Sequence, residues 1–275
     1  MTEASLDEVR GAFDRIAGTI DQLVVRNPIN AWMRQVSLRR IRDSFSAGSC
    51  LLDLGCGTCE DAIQLANKGC RVFALDISGE MVEVARKKIL SLGLQDRIIV
   101  ARGRIADLAG ALEPCPWKRF DGAYANFSLT YENSLEKIAG ALSVVLGPGA
   151  QVFCTLPNRT VLSELVLYGV RLRFRGFLWR FHDPLLFDVH GTRLRIRAYS
   201  PWQVRRAFAP FFGLEYAIGV PVFLPPVYLR EWYDRLGGAR ELLKHLDILL
   251  AGRYPWNRLG EHTLFKFRRR NTHGS

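Results

Sequence analysis

Along the chain the spacing of apolar residues changes character once, near residue 49. Before it they recur at helical intervals: Leu6, Val9, Phe13 and Ile16 share one face, and Trp32, Val36 and Ile41 follow in an arginine-rich segment, with Pro28 at the joint. That pattern predicts two helices. From Ser49 onward, short and almost wholly apolar runs alternate with amphipathic ones. The runs predict strands near 50–54, 70–75, 97–101, 120–125 and 149–156, and helices near 59–68, 79–91 and 132–146. Strands that are apolar throughout are those covered by helices on both faces. Gly147-Pro148-Gly149 is read as a tight turn that ends the third of these helices and enters the fifth strand. The sheet is expected to resume at 212–220 and to close with 262–267.

Two stretches depart from the alternation. One is 158–200, which contains Arg193-Leu194-Arg195-Ile196-Arg197-Ala198; the other is 221–260, with Pro221, Pro225-Pro226 and a helical run at 239–250. Both are too apolar for disorder and are read as an elaborated cap. The expected organisation is a helical lid over 1–48 and an α/β domain over 49–275 with cap insertions at about 158–200 and 221–260.

With 275 residues and 48% hydrophobic content, the chain can bury a full core. Cysteines stand at 50, 56, 59, 70, 115 and 154, mostly on predicted strands or in the glycine turn, which suits reduced thiols better than a disulfide framework. Cys56 and Cys59 form a CxxC spacing, but no second pair or nearby histidine completes a zinc site, and no metal is expected. The residues Thr2–Glu8 are polar and acidic rather than signal-like, and no apolar run is long enough to span a bilayer, so a cytoplasmic protein is expected. The formal charge of +11 suits an anionic substrate, a membrane surface or nucleic acid, and equally a solvated arginine-rich surface. Arginines and aromatic residues allow membrane contact, yet no single amphipathic helix stands out.

The candidate chemistry lies in Cys50-Leu-Leu-Asp-Leu-Gly-Cys-Gly-Thr-Cys-Glu60 and Val72-Phe-Ala-Leu-Asp76. A buried strand runs into a glycine turn that opens a helix, and the next strand ends on a carboxylate. Asp53 can fix the loop or reach a cationic group, while Gly55 and Gly57 permit close backbone approach. Position 60 is Glu, so the third glycine of a dinucleotide fingerprint is missing, and no Lys-Ser/Thr pair makes a phosphate loop. A nucleoside cofactor without phosphates needs neither. Its ribose does need an acid, and Asp76 supplies one.

On Leu52-Asp-Leu-Gly-Cys-Gly-Thr58, Ala74-Leu-Asp-Ile-Ser78, Met81 and Phe120-Asp-Gly-Ala-Tyr-Ala-Asn-Phe127, the chain resembles the class I S-adenosylmethionine-dependent methyltransferases, in the small-molecule (type 11/25-like) branch. The likeness is good over residues 1–157 and looser beyond. It implies a doubly wound, seven-stranded, mostly parallel Rossmann-like sheet with N-terminal helices and an inserted substrate cap, and S-adenosyl-L-methionine as cofactor. By resemblance, Asp53, Gly55, Cys56, Gly57 and Thr58 face the methionyl part and sugar, Asp76 the ribose, and Ile77 and Met81 the adenine. Asn126 and Phe127 would border the methionine end and the acceptor. Many relatives place an acid after the third strand to accept from the adenine amino group. Here that position is Arg104, which leaves the backbone near Ile105, or Asp107, as the expected contact.

The acceptor is expected beyond the carboxyl ends of the strands, under 158–200 and 221–260. Phe13 and Trp32 are candidate lid aromatics, with simple packing as the alternative. His182, Asp183, Asp188 and His190 cluster in the cap, and the histidines suit proton removal. Glu231, near Tyr228 and Trp232, suits a cationic or aromatic group. The catalytic candidates are therefore His182, His190 and Glu231, each with a turn or surface role as its plainer reading. His262 is read as structural. Arg193, Arg195 and Arg197, like Arg171, Arg173 and Arg175, alternate with apolar residues as either a basic rim or a solvated face. With Phe177, Trp179, Phe181 and 223–228, they suggest an amphipathic acceptor with a hydrophobic body and an anionic end. The expected function is methyl transfer to oxygen, nitrogen or carbon of such a metabolite, in a monomer or homodimer. An RNA or protein methyltransferase has only the charge in its favour, since Asn126-Phe-Ser-Leu129 lacks an Asn-Pro-Pro-Tyr-type motif, and nucleic acid is not an expected partner. A non-catalytic cofactor-binding partner is the third reading.

Overall fold

The computed structural model describes residues 3–170, 178–182, 184–189 and 191–271. Arg171, Arg173, Arg175, Phe177, Asp183 and His190 lie outside these residues. Three helices open the chain: α1 (Glu3–Ile16), α2 (Ile20–Arg26) and α3 (Pro28–Ser44). The alternation then runs β1 (Cys50–Leu54), α4 (Glu60–Asn67), β2 (Arg71–Asp76), α5 (Gly79–Ser91), β3 (Ile98–Arg102), α6 (Leu108–Ala111), β4 (Phe120–Asn126), α7 (Leu135–Val145) and β5 (Leu146–Pro157). Next come α8 (Leu162–Val170), the hairpin β6 (Leu185–Val189) and β7 (Thr192–Ile196), α9 (Pro201–Phe208) and β8 (Phe212–Val220). The chain closes with α10 (Arg230–Arg235), α11 (Ala239–Leu250) and β9 (His262–Arg269).

Seven strands form one sheet in the order β3-β2-β1-β4-β5-β9-β8, as expected. The first five are parallel, and β9 runs antiparallel to both of its neighbours. Alternate residues of each strand face opposite sides, and both sides are covered. Leu52, Leu54, Phe73, Leu75, Val152 and Phe267 pack with α7 and α9 on one face. Leu51, Val72, Tyr124, Phe153 and Leu264 pack with α3, α4 and α5 on the other. Helix starts are encoded locally. Asn27 accepts from Ile29 N and Asn30 N ahead of Pro28, Ser78 accepts from Met81 N, and Ser134 accepts from Lys137 N.

Three differences from the sequence reading have physical causes. The N-terminal region holds three helices, not two, because Ala17-Gly18-Thr19 breaks the first and lets α2 turn toward the glycine loop. β5 begins at Leu146, which pairs with Phe120 before the register shifts, so Gly147–Gly149 is an irregularity within the strand. The arginine alternation on β7 is real, with Leu194 and Ile196 buried, but Arg193 and Arg195 face solvent. No helix among the described residues is long and apolar enough to cross a membrane.

Asp247 is the buried residue of α11, and its Oδ1 accepts from Val222 N at 2.7 Å and Phe223 N at 3.1 Å. Burial outweighs these bonds and lifts its carboxyl from 3.8 to about 6. The folded protein therefore holds a proton that the unfolded chain has already released between these values. Stability from this group is full below about pH 4 and declines as pH rises toward 6. Urea unfolding across pH 4–7 should show that decline, on the order of 3 kcal/mol at about 1.4 kcal/mol per pKa unit, flattened in Asp247→Asn relative to the native chain.

Candidate active site

The chain leaves β1 for β2 and β3 on one side, then crosses to β4 and β5 on the other. The carboxyl ends of β1, β2 and β4 diverge around a crevice at that reversal, where open α/β sheets bind ligands. The turn after β1 is held down by its neighbour: Gly55 N and Cys56 N donate to Leu75 O at 2.7 and 3.0 Å. A Cβ on Gly55 would stand 2.4 Å from Ser128 Cβ, so β4's exit loop can come this close only to glycine. Gly57 takes φ +53 and its missing Cβ would meet nothing within 4 Å. Gly57 N donates to Asp76 Oδ2 at 2.7 Å, and Ser78 N donates to Oδ1 at 2.9 Å. These backbone donors hold the Asp76 carboxylate in place, with lone-pair capacity left for a ligand.

The crevice is a cavity of about 510 Å³. Its floor is the strand ends, with Asp53, Gly55, Cys56, Gly57, Thr58, Asp76, Ile77, Met81, Ile105, Asn126 and Phe127 all lining it. Its roof is α1, α2 and α3, through Leu6, Val9, Phe13, Ile20, Val24, Arg34 and Leu38 among others. In a chain of net charge +11 the cavity reverses sign: six carboxylates (Asp21, Asp53, Glu60, Asp61, Asp76, Glu132) face three arginines (Arg34, Arg39, Arg42). Asp53 is buried and its Oδ2 lacks a partner among the described residues. Burial first, then the neighbouring Asp61 charge, push its carboxyl well above the usual range, and burial also raises Asp76. Such a site lowers its energy by taking in a cation.

At β4's exit, Asn126 is tied to the scaffold through both ends of its amide. Its Nδ2 donates to Asp61 at 2.7 Å, while its Oδ1 accepts from Ser37 at 2.9 Å and Thr155 at 3.0 Å. Phe127 follows with φ +67, a left-handed conformation that costs a bulky residue about 1–3 kcal/mol. Its ring lies between the Arg34 guanidinium, 5.6 Å away, and the edge of His262 at 5.1 Å. Burial lowers the His262 pKa to about 3, so the ring is neutral, in keeping with a structural role. The roof is pinned at two points. Asp14 of α1 accepts from Ser78 Oγ at 2.6 Å and from Glu80 N at the start of α5. Asp21 of α2 accepts from Thr58 Oγ1 at 2.6 Å and Lys88 at 2.5 Å, and Lys88 also reaches Glu60.

The sequence reading placed the acceptor under 158–200 and 221–260; among the described residues, those that line this cavity end at Glu132. His182 and Glu231 are exposed and away from it, and Arg104 is exposed and outside the lining. The cap segments instead clasp each other. Glu164 takes Arg180 through contacts of 2.7–2.9 Å, Trp179 Nε1 at 3.1 Å and the Tyr228 hydroxyl at 2.8 Å, with Glu261 3.8 Å from Arg180. Trp32 packs with Tyr233 and Leu224 rather than in the lid, whereas Phe13 does line the roof, edge-on to Tyr131. Arg34, Asp61, Tyr131 and Glu132 were missed. The signal for Asp61 was its place one residue into α4, but nothing local marks the others.

The methyltransferase domain model matches residues 51–149. A ubiquinone biosynthesis O-methyltransferase of Xylella fastidiosa is 32% identical over 179 residues, 58% of this chain and 68% of that protein. A demethylmenaquinone methyltransferase of Symbiobacterium thermophilum is 28% identical over 202 residues, 70% of this chain and 74% of the relative. The fold matches the solved geranyl diphosphate C-methyltransferase of Streptomyces coelicolor with a TM-score of 0.54 at 13% identity, covering 86% of this chain and 78% of that one. This chain belongs to the class I S-adenosylmethionine-dependent methyltransferases; it is an enzyme, and S-adenosylmethionine is its cofactor. The residues present fit that group: an orphaned buried carboxylate suits a cation, and the glycine turn leaves backbone room without a phosphate cradle.

Replacing Asp21 by Ala should release α2 from Thr58 and Lys88. Trypsin should then cut after Arg26 several-fold faster than in the native chain, read by limited proteolysis and mass spectrometry.

Proposed function

We propose that this enzyme methylates a hydroxyl or ring carbon of a lipophilic, quinol-type small molecule held between the strand ends and the N-terminal helices. The observation that carries the reading is the split lining of the cavity, carboxylates on the floor and aliphatic and aromatic side chains on the roof. The two relatives named for quinone biosynthesis support the acceptor class. The row Arg34, Arg39 and Arg42 on α3 would meet an anionic or strongly polar end of the molecule.

Bound S-adenosylmethionine supplies an electrophilic methyl group on a sulfonium. Asp76 binds the ribose hydroxyls through its remaining lone-pair capacity, with Gly57 N–H and Ser78 N–H holding it still. Asp53 faces the cationic methionyl end, and Gly55, Cys56, Gly57 and Thr58 shape that wall. Ile77, Met81 and Ile105 enclose the adenine. Glu132 replaces the acid missing at Arg104: it lines the cavity on the β3 side, where burial raises its carboxyl and the Arg104 charge draws it back down. Asn126 lines the cavity and, through its bond to Asp61, fixes that carboxylate and the Phe127 backbone beside the reacting end. Phe127 and Tyr131 border the acceptor, and residues 1–48 act as the lid that excludes water. An acidic ring hydroxyl loses its proton with little help, which agrees with a lining that holds no histidine among the described residues. Neither His182 nor Glu231 has a part in this reading. Six unpaired cysteines, five of them buried, support a reducing, cytoplasmic setting.

Tritium transfer from labelled cofactor to separated small molecules, RNA and protein tests the acceptor class. Label should appear in lipophilic small molecules, and label confined to polymer would overturn the reading. Asp76→Ala should weaken cofactor binding about 10- to 100-fold by calorimetry, the worth of hydrogen bonds to a charged group; Glu132→Gln should weaken it less. Because burial raises Asp53 and Asp76, cofactor affinity should fall as pH is lowered and these carboxylates take up protons, and Asp53→Asn should flatten that profile.

A further inference from the structure

Helix α11 is attached to the molecule by charged residues and by Leu243, which packs against Ile29, Leu224 and Tyr233. The residue it buries is Asp247, spent on Val222 N and Phe223 N, and Lys244 lies over the rings of Trp32 and Tyr233 at 5.4 and 5.9 Å. Leu242, Ile248 and Leu249 are left 63%, 54% and 65% exposed, and Tyr254 just beyond is 75% exposed with the Arg258 guanidinium 5.3 Å over its ring. Trp232 of α10 is also exposed, and Arg235 and Arg253 are solvent-facing cations at the two ends of α11. Leu242 and Leu249 are seven residues apart and so lie on one stripe. The apolar surface also approaches the cavity entrance: Asn27 Nδ2 donates to Val227 O at 3.0 Å, and Val25, two residues earlier, lines the cavity while 71% exposed.

We infer that the outward face of α11, with Trp232 and Tyr254, docks this enzyme on an anionic lipid bilayer. A helix with leucines outward and arginines at its margins lies in the headgroup region, its apolar face among the acyl chains. The net charge of +11 complements anionic lipid, and each basic residue near the surface adds to the attraction. Docking in this orientation puts the Val25 rim next to the lipid, so an acceptor dissolved in the bilayer enters the cavity without crossing water. The docking itself requires neither acceptor nor turnover, so its failure leaves the methyl-transfer reading untouched.

The test is sedimentation of the full chain with vesicles of phosphatidylglycerol and phosphatidylcholine, against phosphatidylcholine alone. The native chain should pellet with the anionic vesicles and release as salt is raised. Leu242→Glu with Leu249→Glu should weaken partitioning by about 30-fold or more. Its cofactor affinity and thermal midpoint should match the native chain, since neither residue is buried. Arg235→Glu with Arg253→Glu should weaken binding to anionic vesicles while leaving the leucine face intact. A native chain that stays in the supernatant, or leucine variants that pellet equally, would overturn the proposal. So would a dimer, seen by analytical ultracentrifugation, that the same leucine substitutions dissolve, because the face would then belong to a second copy.

Discussion

Too many carboxylates stand around too little space at the ends of β1 and β2, and the rest of the site follows from accommodating them. Burial raises the proton affinity of Asp53 and Asp76, and the charges of Asp61 and Asp76 raise that of Asp53 further, with Arg34 the nearby cation. Two of the three are restrained by bonds they receive: Asp76 from the backbone of Gly57 and Ser78, Asp61 from the Asn126 amide. Asp53 alone keeps an orphan oxygen. An arrangement this unfavourable without a cation is a preorganised receptor for one, because the ligand meets fixed charges that need no rearrangement.

The same economy explains the roof. Helices α1 and α2 bring two further acids, Asp14 and Asp21, yet both land on groups that welcome them: the amino end of α5, and the Thr58–Lys88 pair. The roof is thus secured to the elements that carry Asp76 and the glycine turn. Closure and cofactor geometry become one problem, since a shift of α5 would move Asp14's anchor and Ser78 together. The C-terminal elaboration is organised around its own charge cluster. Glu164, Arg180 and Glu261 are buried, and a pair in that setting is costly unless its hydrogen bonds are complete. Tyr228, Trp179 and Val227 N complete them. Residues committed to such a network are not available to chemistry elsewhere.

Much of the fold was legible because β1 to β5 are short apolar runs separated by strong stop signals, and a parallel strand buried on both faces admits little else. The cavity floor was legible for a related reason. Gly55, Gly57 and Asp76 perform backbone-level tasks that few other residues can perform, so they leave a mark at fixed spacing. The lid's third helix was not legible, because a single Gly18 within an amphipathic pattern is as compatible with a tolerated defect as with a break. Trp32 and Phe13 looked alike in sequence; only packing separated a residue beneath α10 from one over the cavity. His182 and Glu231 had suitable chemistry, and folding left them exposed and outside the cavity lining.

By itself, then, the sequence determined the strands, the glycine turn, the paired strand-end acids and the nature of the cofactor, since each of these is marked by a local pattern of residues. Tertiary structure decided which segments roof the cavity, that Glu132 stands on the β3 side beside an exposed Arg104, and which face of α11 looks outward. Those outcomes depend on pairing between distant segments such as Asp21 with Thr58, Glu164 with Arg180, and Asp247 with Val222. A charged side chain reads the same in sequence whether it ends in solvent or in the core; the partner it finds on folding makes the difference.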